Sequence, residues 1–244
     1  MGKNGNVSTG PSSSGSESLR ASIDADQVIA TICSRRSVRD GFDGEPIEPE
    51  IIAGILQCGL AAPSSKNAQP WRLHVVENRQ TLDLIATAAQ SAENRESYVP
   101  RNPATGMPRT EWQSTVWESA EVLRSASMGI FIENCGTFSG GRSVLTSASP
   151  ERYAGSIVGY TFEVLGIGTA IENMWIAAIA LGLQGAFMGD LLIVEELISG
   201  LLSIDGDLVG VLALGRSSEP PSPNRMVYEV EGSDLVVRHG RSTA

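Results

Sequence analysis

The apolar positions of this 244-residue chain fall into short helical and strand patterns separated by polar loops. Residues 1–20 are rich in Ser, Gly and Asn and carry no apolar run, so a disordered polar tail is expected there, followed by one domain over 21–244. From Asp24 to Arg36, Val28, Ile29 and Ile32 recur at helical spacing, with Asp24 as N-cap. Pro49 stands where a helix starts, and Ile51, Ile52, Ile55 and Leu56 form its stripe up to Gly59. Residues 71–76 alternate as a strand, and 82–86 open another helix. The polar stretch 91–125 ends in a helix carrying Trp112 and Trp117, and 127–133 reads as a buried strand. A Gly/Ser/Thr loop at 136–152 precedes a long helix from about Tyr160 to Leu181. A short strand at 186–188, a helix at 195–202 and a core strand at 208–214 follow. Pro220, Pro221 and Pro223 mark an extended C-terminal arm. Helices and strands mix without regular βαβ spacing, which predicts an α+β domain.

Composition narrows the partners. Apolar residues make up 41% and charged residues 19%, the balance of a globular protein. A net charge of −10 argues against nucleic acid, whose phosphates attract basic proteins. The longest nearly apolar stretch, Met174 to Met188, is broken by Gly182, Gln184 and Gly185 and is too short to cross a bilayer. No signal-peptide pattern opens the chain, so a soluble, cytoplasmic protein with no membrane partner is expected. Cys33, Cys58 and Cys135 show no metal spacing and read as reduced, buried thiols.

Two segments carry candidate chemistry. Arg35-Arg36-Ser37-Val38-Arg39 concentrates guanidinium groups, whose planar forks match phosphate oxygens. The plainer reading is a solvated helix end with cations at its C-terminus. Pro63-Ser64-Ser65-Lys66-Asn67-Ala68-Gln69-Pro70-Trp71 offers hydroxyls and amides suited to phosphate or the edge of a heterocycle, and equally to an ordinary turn. His74 reads as a packed strand residue and His239 as part of the tail; no metal or nucleophile motif is present. Gly166-x-Gly168 lacks the third glycine of a dinucleotide fingerprint.

These two segments, with Ala170-Ile171-Glu172-Asn173-Met174-Trp175-Ile176-Ala177-Ala178 and Leu212-Ala213-Leu214-Gly215, keep an order and spacing that resembles the nitroreductase family over about residues 25–230. The resemblance implies a mostly antiparallel sheet flanked by helices, a C-terminal arm crossing a homodimer, and FMN at the subunit interface. It places Arg35, Arg36, Ser37 and Arg39 at the flavin phosphate and ring edge, and Pro63, Ser64, Ser65 and Asn67 beside the ring. It puts Gly189 at the flavin N5 and Arg225 at the phosphate. It implies ping-pong hydride transfer from NAD(P)H through FMN to a small organic acceptor such as a nitroaromatic or quinone, with Arg39 stabilising the reduced ring. An oxidase or desaturase of an organic substrate, with oxygen as acceptor, is the alternative. One residue more than the family pattern lies between Arg39 and Phe42, and Pro223 stands where some members carry a second basic residue. Asn94 or Arg95 is placed to reach the ring. Trp112, Trp117, Phe138 and Tyr153 lie in the segments expected at the pocket mouth, with core packing the plainer role for each.

Overall fold

The computed structural model describes residues 24–99, 101–109, 111 and 114–218. They fall into two units, one reaching Ser34 and one starting at Arg35. The first contains helix α1 (Ala25–Ser34), begun as its sequence predicts: Asp24 Oδ1 accepts the N–H groups of Asp26 and Gln27 at 3.0 and 3.2 Å. That satisfies donors the first turn leaves over. Val28, Ile29 and Ile32 form the expected stripe and are exposed.

The second unit is built on strands β1 (Trp71–Val76), β2 (Met128–Asn134), β3 (Gln184–Met188) and β4 (Asp207–Gly215). They lie in the order β1-β2-β4-β3, every pair antiparallel. Around them stand α2 (Pro49–Leu60), α3 (Arg79–Ser91), α4 (Val116–Ser125), the short α5 (Arg142–Ser147), α6 (Pro150–Ala180) and α7 (Glu195–Leu202). This is the predicted α+β architecture. β2 is buried along its whole length because both its faces are covered. Alternation sends Phe131, with Val211 and Ala213, into one core with α3, α4 and α7. Met128, Ile130 and Ile132, with Leu212 and Leu214, enter another with α2 and α6.

Two helices start earlier than their apolar patterns show. Asn78 Oδ1 accepts the Thr81 N–H at 2.9 Å, so α3 begins at Arg79. Pro150 occupies the first turn of α6, which runs 31 residues and begins inside the stretch 136–152 expected as loop, ahead of the expected start near Tyr160. By length and composition alone α6 could cross a membrane, unlike the Met174–Met188 stretch. One flank of it nevertheless packs into the second core. Midway along it, the fully buried Glu163 accepts hydrogen bonds from Asn134 Nδ2 (3.0 Å), Ser139 Oγ (2.7 Å) and the N–H groups of Phe138 (2.5 Å) and Ser139 (2.8 Å). Burial pushes this carboxyl up, but the donors outweigh it and hold it below the usual range. The turn they brace requires Gly136, at φ +64°, where a Cβ would stand 2.7 Å from Gly141 N.

Candidate functional site

Residues 35–39 form an irregular segment whose inward residue is Val38, 5% exposed. The Val38 N–H donates to Gly185 O at 2.9 Å and ties the segment to β3. Arg36 and Ser37 are half-buried beside it. Arg35 turns to α6: its Nε lies 2.9 Å from Glu172 Oε1, and its guanidinium carbon sits 4.5 Å from the centroid of the Trp175 ring. Trp175 is buried, and its Nε1–H finds no acceptor among the described residues. A buried donor left unpaired costs free energy, and the Trp175 indole N–H is such a donor.

Arg39 lies in a cleft of about 180 Å³ with Thr115, Glu118, Phe187, Gly189 and Asp190. Its Nε is 3.1 Å from Glu118 Oε2, a half-exposed pair that adds little to stability. Thr115 Oγ1 donates to Asp190 Oδ2 at 2.7 Å. Nothing lies within 4 Å of where a Cβ on Gly189 would stand, so the backbone there fronts open space.

The Pro63–Trp71 loop braces itself. Ser64 Oγ accepts the Gln69 N–H at 2.9 Å, Gln69 Nε2 donates to Leu60 O at 3.2 Å, and Thr169 Oγ1 donates to Pro63 O at 3.1 Å. Lys66, Asn67 and Gln69 hold φ of +52°, +52° and +44°, a left-handed conformation that costs non-glycine residues strain. The Gln69 side chain is thus spent on the loop itself, while Asn67 is exposed. Gly166 lets the loop rest on α6, since a Cβ there would meet the Ser64 Cβ at 3.2 Å. Pro63, Ser64 and Ser65 line an open hollow with Phe162, Leu165 and Thr169.

The predicted residues therefore gather in two places. Arg35 meets α6 at Glu172 and Trp175 and Ser64 meets it at Gly166, roughly 9 Å apart along the axis at 1.5 Å per residue. The Arg39 cleft and the Ser64 hollow share no lining residue. Arg225, His239, Trp112 and the arm prolines lie outside the described residues. Arg95 donates to Gln90 O at 2.5 Å and lies 6.0 Å above the Trp117 ring. Trp117 itself is exposed, because the buried face of α4 runs through Val116, Ser119, Ala120 and Leu123. Phe138 and Tyr153 are exposed as well, and so are Cys33, Cys58 and Cys135, which occupy outward helix and loop positions instead of the core.

A further polar hollow, about 230 Å³, is lined by Arg72, Glu133, Gly136, Asp205 and Asp207, but its principal charges are already paired. Glu133 lies 2.8 Å from His74 Nε2, accepts the Gly206 N–H at 2.8 Å and pairs with Arg72 at 3.2 Å. Burial pushes its carboxyl up, and these partners outweigh it and hold it below the usual range. Asp207 accepts the Arg142 N–H at 2.7 Å. His74 is the structural residue the sequence predicts.

Comparison with known proteins points the same way as the motifs. A model of the nitroreductase family matches residues 32–216, most of the chain. A nitrobenzene nitroreductase of Ectopseudomonas oleovorans is 32% identical over 97 residues, 39% of this chain and 42% of that protein. A 4-nitrobenzoate reductase of Pseudomonas putida is 37% identical over 68 residues, 27% and 30% of the two chains. The matched stretch thus spans less than half of either relative. Among solved structures, an NADPH:FMN oxidoreductase of Vibrio harveyi complexed with NAD+ superposes with a TM-score of 0.58 at 19% identity, covering 87% of this chain and 78% of that one. A protein of Desulfovibrio desulfuricans solved with FMN gives 0.56 at 20% identity, covering 87% and 96%.

Proposed function

The chain belongs to the nitroreductase family, and we propose that it is an FMN-dependent oxidoreductase acting as a cytoplasmic homodimer. The observation that carries this reading is the cleft in which Arg39 meets the open backbone at Gly189. The residues present fit the cofactor: a planar ring needs backbone without side chains before it, and a phosphate needs a donor-rich corner such as that of Arg35 and Trp175. Bound there, FMN would supply ping-pong hydride-transfer chemistry between NAD(P)H and a small organic acceptor such as a nitroaromatic or quinone.

The chain's own residues bind and orient. Arg35, Arg36, Ser37 and Arg225 hold the phosphate end; Pro63, Ser64, Ser65 and Asn67 flank the ring. Arg39 supplies positive charge at the ring's polar edge, where a fixed cation favours developing negative charge. The relatives named for nitrobenzene and 4-nitrobenzoate support a nitroaromatic acceptor.

A second copy is supported by α6. Its Ile157, Val158, Phe162 and Leu165 are 41%, 51%, 46% and 62% exposed, and a helix apolar all round is ordinarily covered all round. A partner seated on this face closes the Ser64 hollow, which shares Phe162 and Leu165.

The test is direct. The purified protein should carry yellow FMN that bleaches when NADPH or NADH is added without oxygen. Flavin that bleaches with neither overturns the reductase reading, and flavin that bleaches only with an organic substrate assigns an oxidase or desaturase instead.

A further inference from the structure

We infer that Glu118 is a positioning residue for Arg39 and its counter-charge, and that it sets how strongly the site favours reduced over oxidised FMN; the inference rests on the FMN reading above. A hydride carries two electrons and one proton. NAD(P)H leaves as NAD(P)+, and the ring that accepts the hydride gains one negative charge. A lone guanidinium at the polar edge of the ring favours that charge. The Glu118 carboxylate, whose Oε2 is 3.1 Å from Arg39 Nε, offsets it.

Placement supports the assignment. Two elements far apart in sequence bring the pair together: Arg39 on the irregular segment and Glu118 in the first turn of α4. A carboxylate in a first turn suits the helix dipole, but the dipole does not account for its direction. Glu118 lines the same cleft as Gly189, whereas Glu121, three residues on, pairs with Arg124. Asp190, the other carboxylate of the cleft, accepts from Thr115 Oγ1 at 2.7 Å and so fastens the residue that precedes α4. The Arg39 and Glu118 side chains are 48% and 50% exposed, so solvent screens their attraction in the open cleft. A planar ring seated before Gly189 would cover both and lower the effective dielectric, which raises the weight of each charge. The pair thus matters little to the fold and much to what binds over it.

The experiment measures the midpoint potential of bound FMN by anaerobic titration against a reference dye, in the full chain and in Glu118→Gln, Glu118→Asp and Glu121→Gln. Glu118→Gln should favour reduced over oxidised FMN about tenfold more than the wild type does, a rise of about 30 mV for a two-electron couple. Glu118→Asp keeps the charge and should retain most of the wild-type value. Glu121→Gln removes a carboxylate of the same helix that pairs with Arg124, and should leave the potential unchanged. An unchanged or lower potential in Glu118→Gln would overturn the inference. So would an equal rise in Glu121→Gln, which would reduce the effect to net charge, or an equal rise in Glu118→Asp. Lost thermal stability with no change in potential would assign Glu118 to the helix end alone and overturn it too. A wild type that binds no FMN overturns the cofactor reading; bound FMN with one potential in every variant overturns only this inference.

Discussion

Glu163 and Arg35 both meet partners at helix α6, and they differ in how complete those partners are. Around Glu163 every acceptor position is answered from within the chain: an amide, a hydroxyl and two backbone N–H groups converge on one buried carboxylate. Around Arg35 and Arg39 the ion pairs are partly exposed, one indole N–H lacks an acceptor among the described residues, and open space fronts Gly189. A closed network is what a fold uses to hold itself, and an unanswered donor or an open stretch of backbone is what a binding site offers. The polar hollow at Glu133 belongs to the first kind, although its residue types alone would recommend it as a site.

The contrast can be broken most sharply at Glu163. Glu163→Ala orphans several buried donors and should lower stability by about 3–5 kcal/mol, or roughly 10 °C in melting temperature. An unchanged melting curve would refute the structural role. Arg35→Ala or Ser37→Ala should do the reverse, raising the FMN dissociation constant about ten- to a hundredfold while cofactor-free stability holds. Calorimetric titration beside thermal melts measures both, and a variant that keeps full cofactor affinity breaks the phosphate assignment. Arg39→Ala should slow anaerobic flavin reduction about tenfold, with Arg39→Lys recovering much of the loss; stopped-flow absorbance reads the rate.

The smallest effect is on pH. Glu133 and Glu163 have carboxyls held below the ordinary glutamate value of 4.5. Their contribution is therefore fully present above that value and is lost as acid takes the pH down through the lowered folded values. Urea midpoints should fall as pH drops below about 4.5, with a shallower slope in Glu163→Gln; an identical slope would remove Glu163 from the acid response.

Much of the fold was legible because it rests on local periodicity. β2 shows as a continuous apolar run, α2 as a Pro-started stripe, and α7 was predicted at its observed bounds. The early start of α6 was hidden because Pro150 closes a Gly/Ser/Thr-rich stretch that reads as loop. At the site, the motif residues were legible, but not their separation along α6 or the partners that hold the arginines. Glu118, Glu172 and Trp175 come from helices distant in sequence, and in the chain itself they look like ordinary helix residues. Trp117 misled for the opposite reason: an aromatic reads as core until the buried face of its helix is known.

Val38 constrains how this chain can vary in length. Its side chain and its N–H fasten the segment at one point, so Arg35 to Val38 works like a ruler read from a single peg. Removing a residue from that span would leave Val38 fastened and draw Arg35 away from Glu172 and Trp175. On the other side the chain turns at Gly41, φ +70°, before Phe42 bridges to Ser217. Slack can gather there, at the glycine turn. An added residue on that side of the peg would leave the spacing of the charges unchanged.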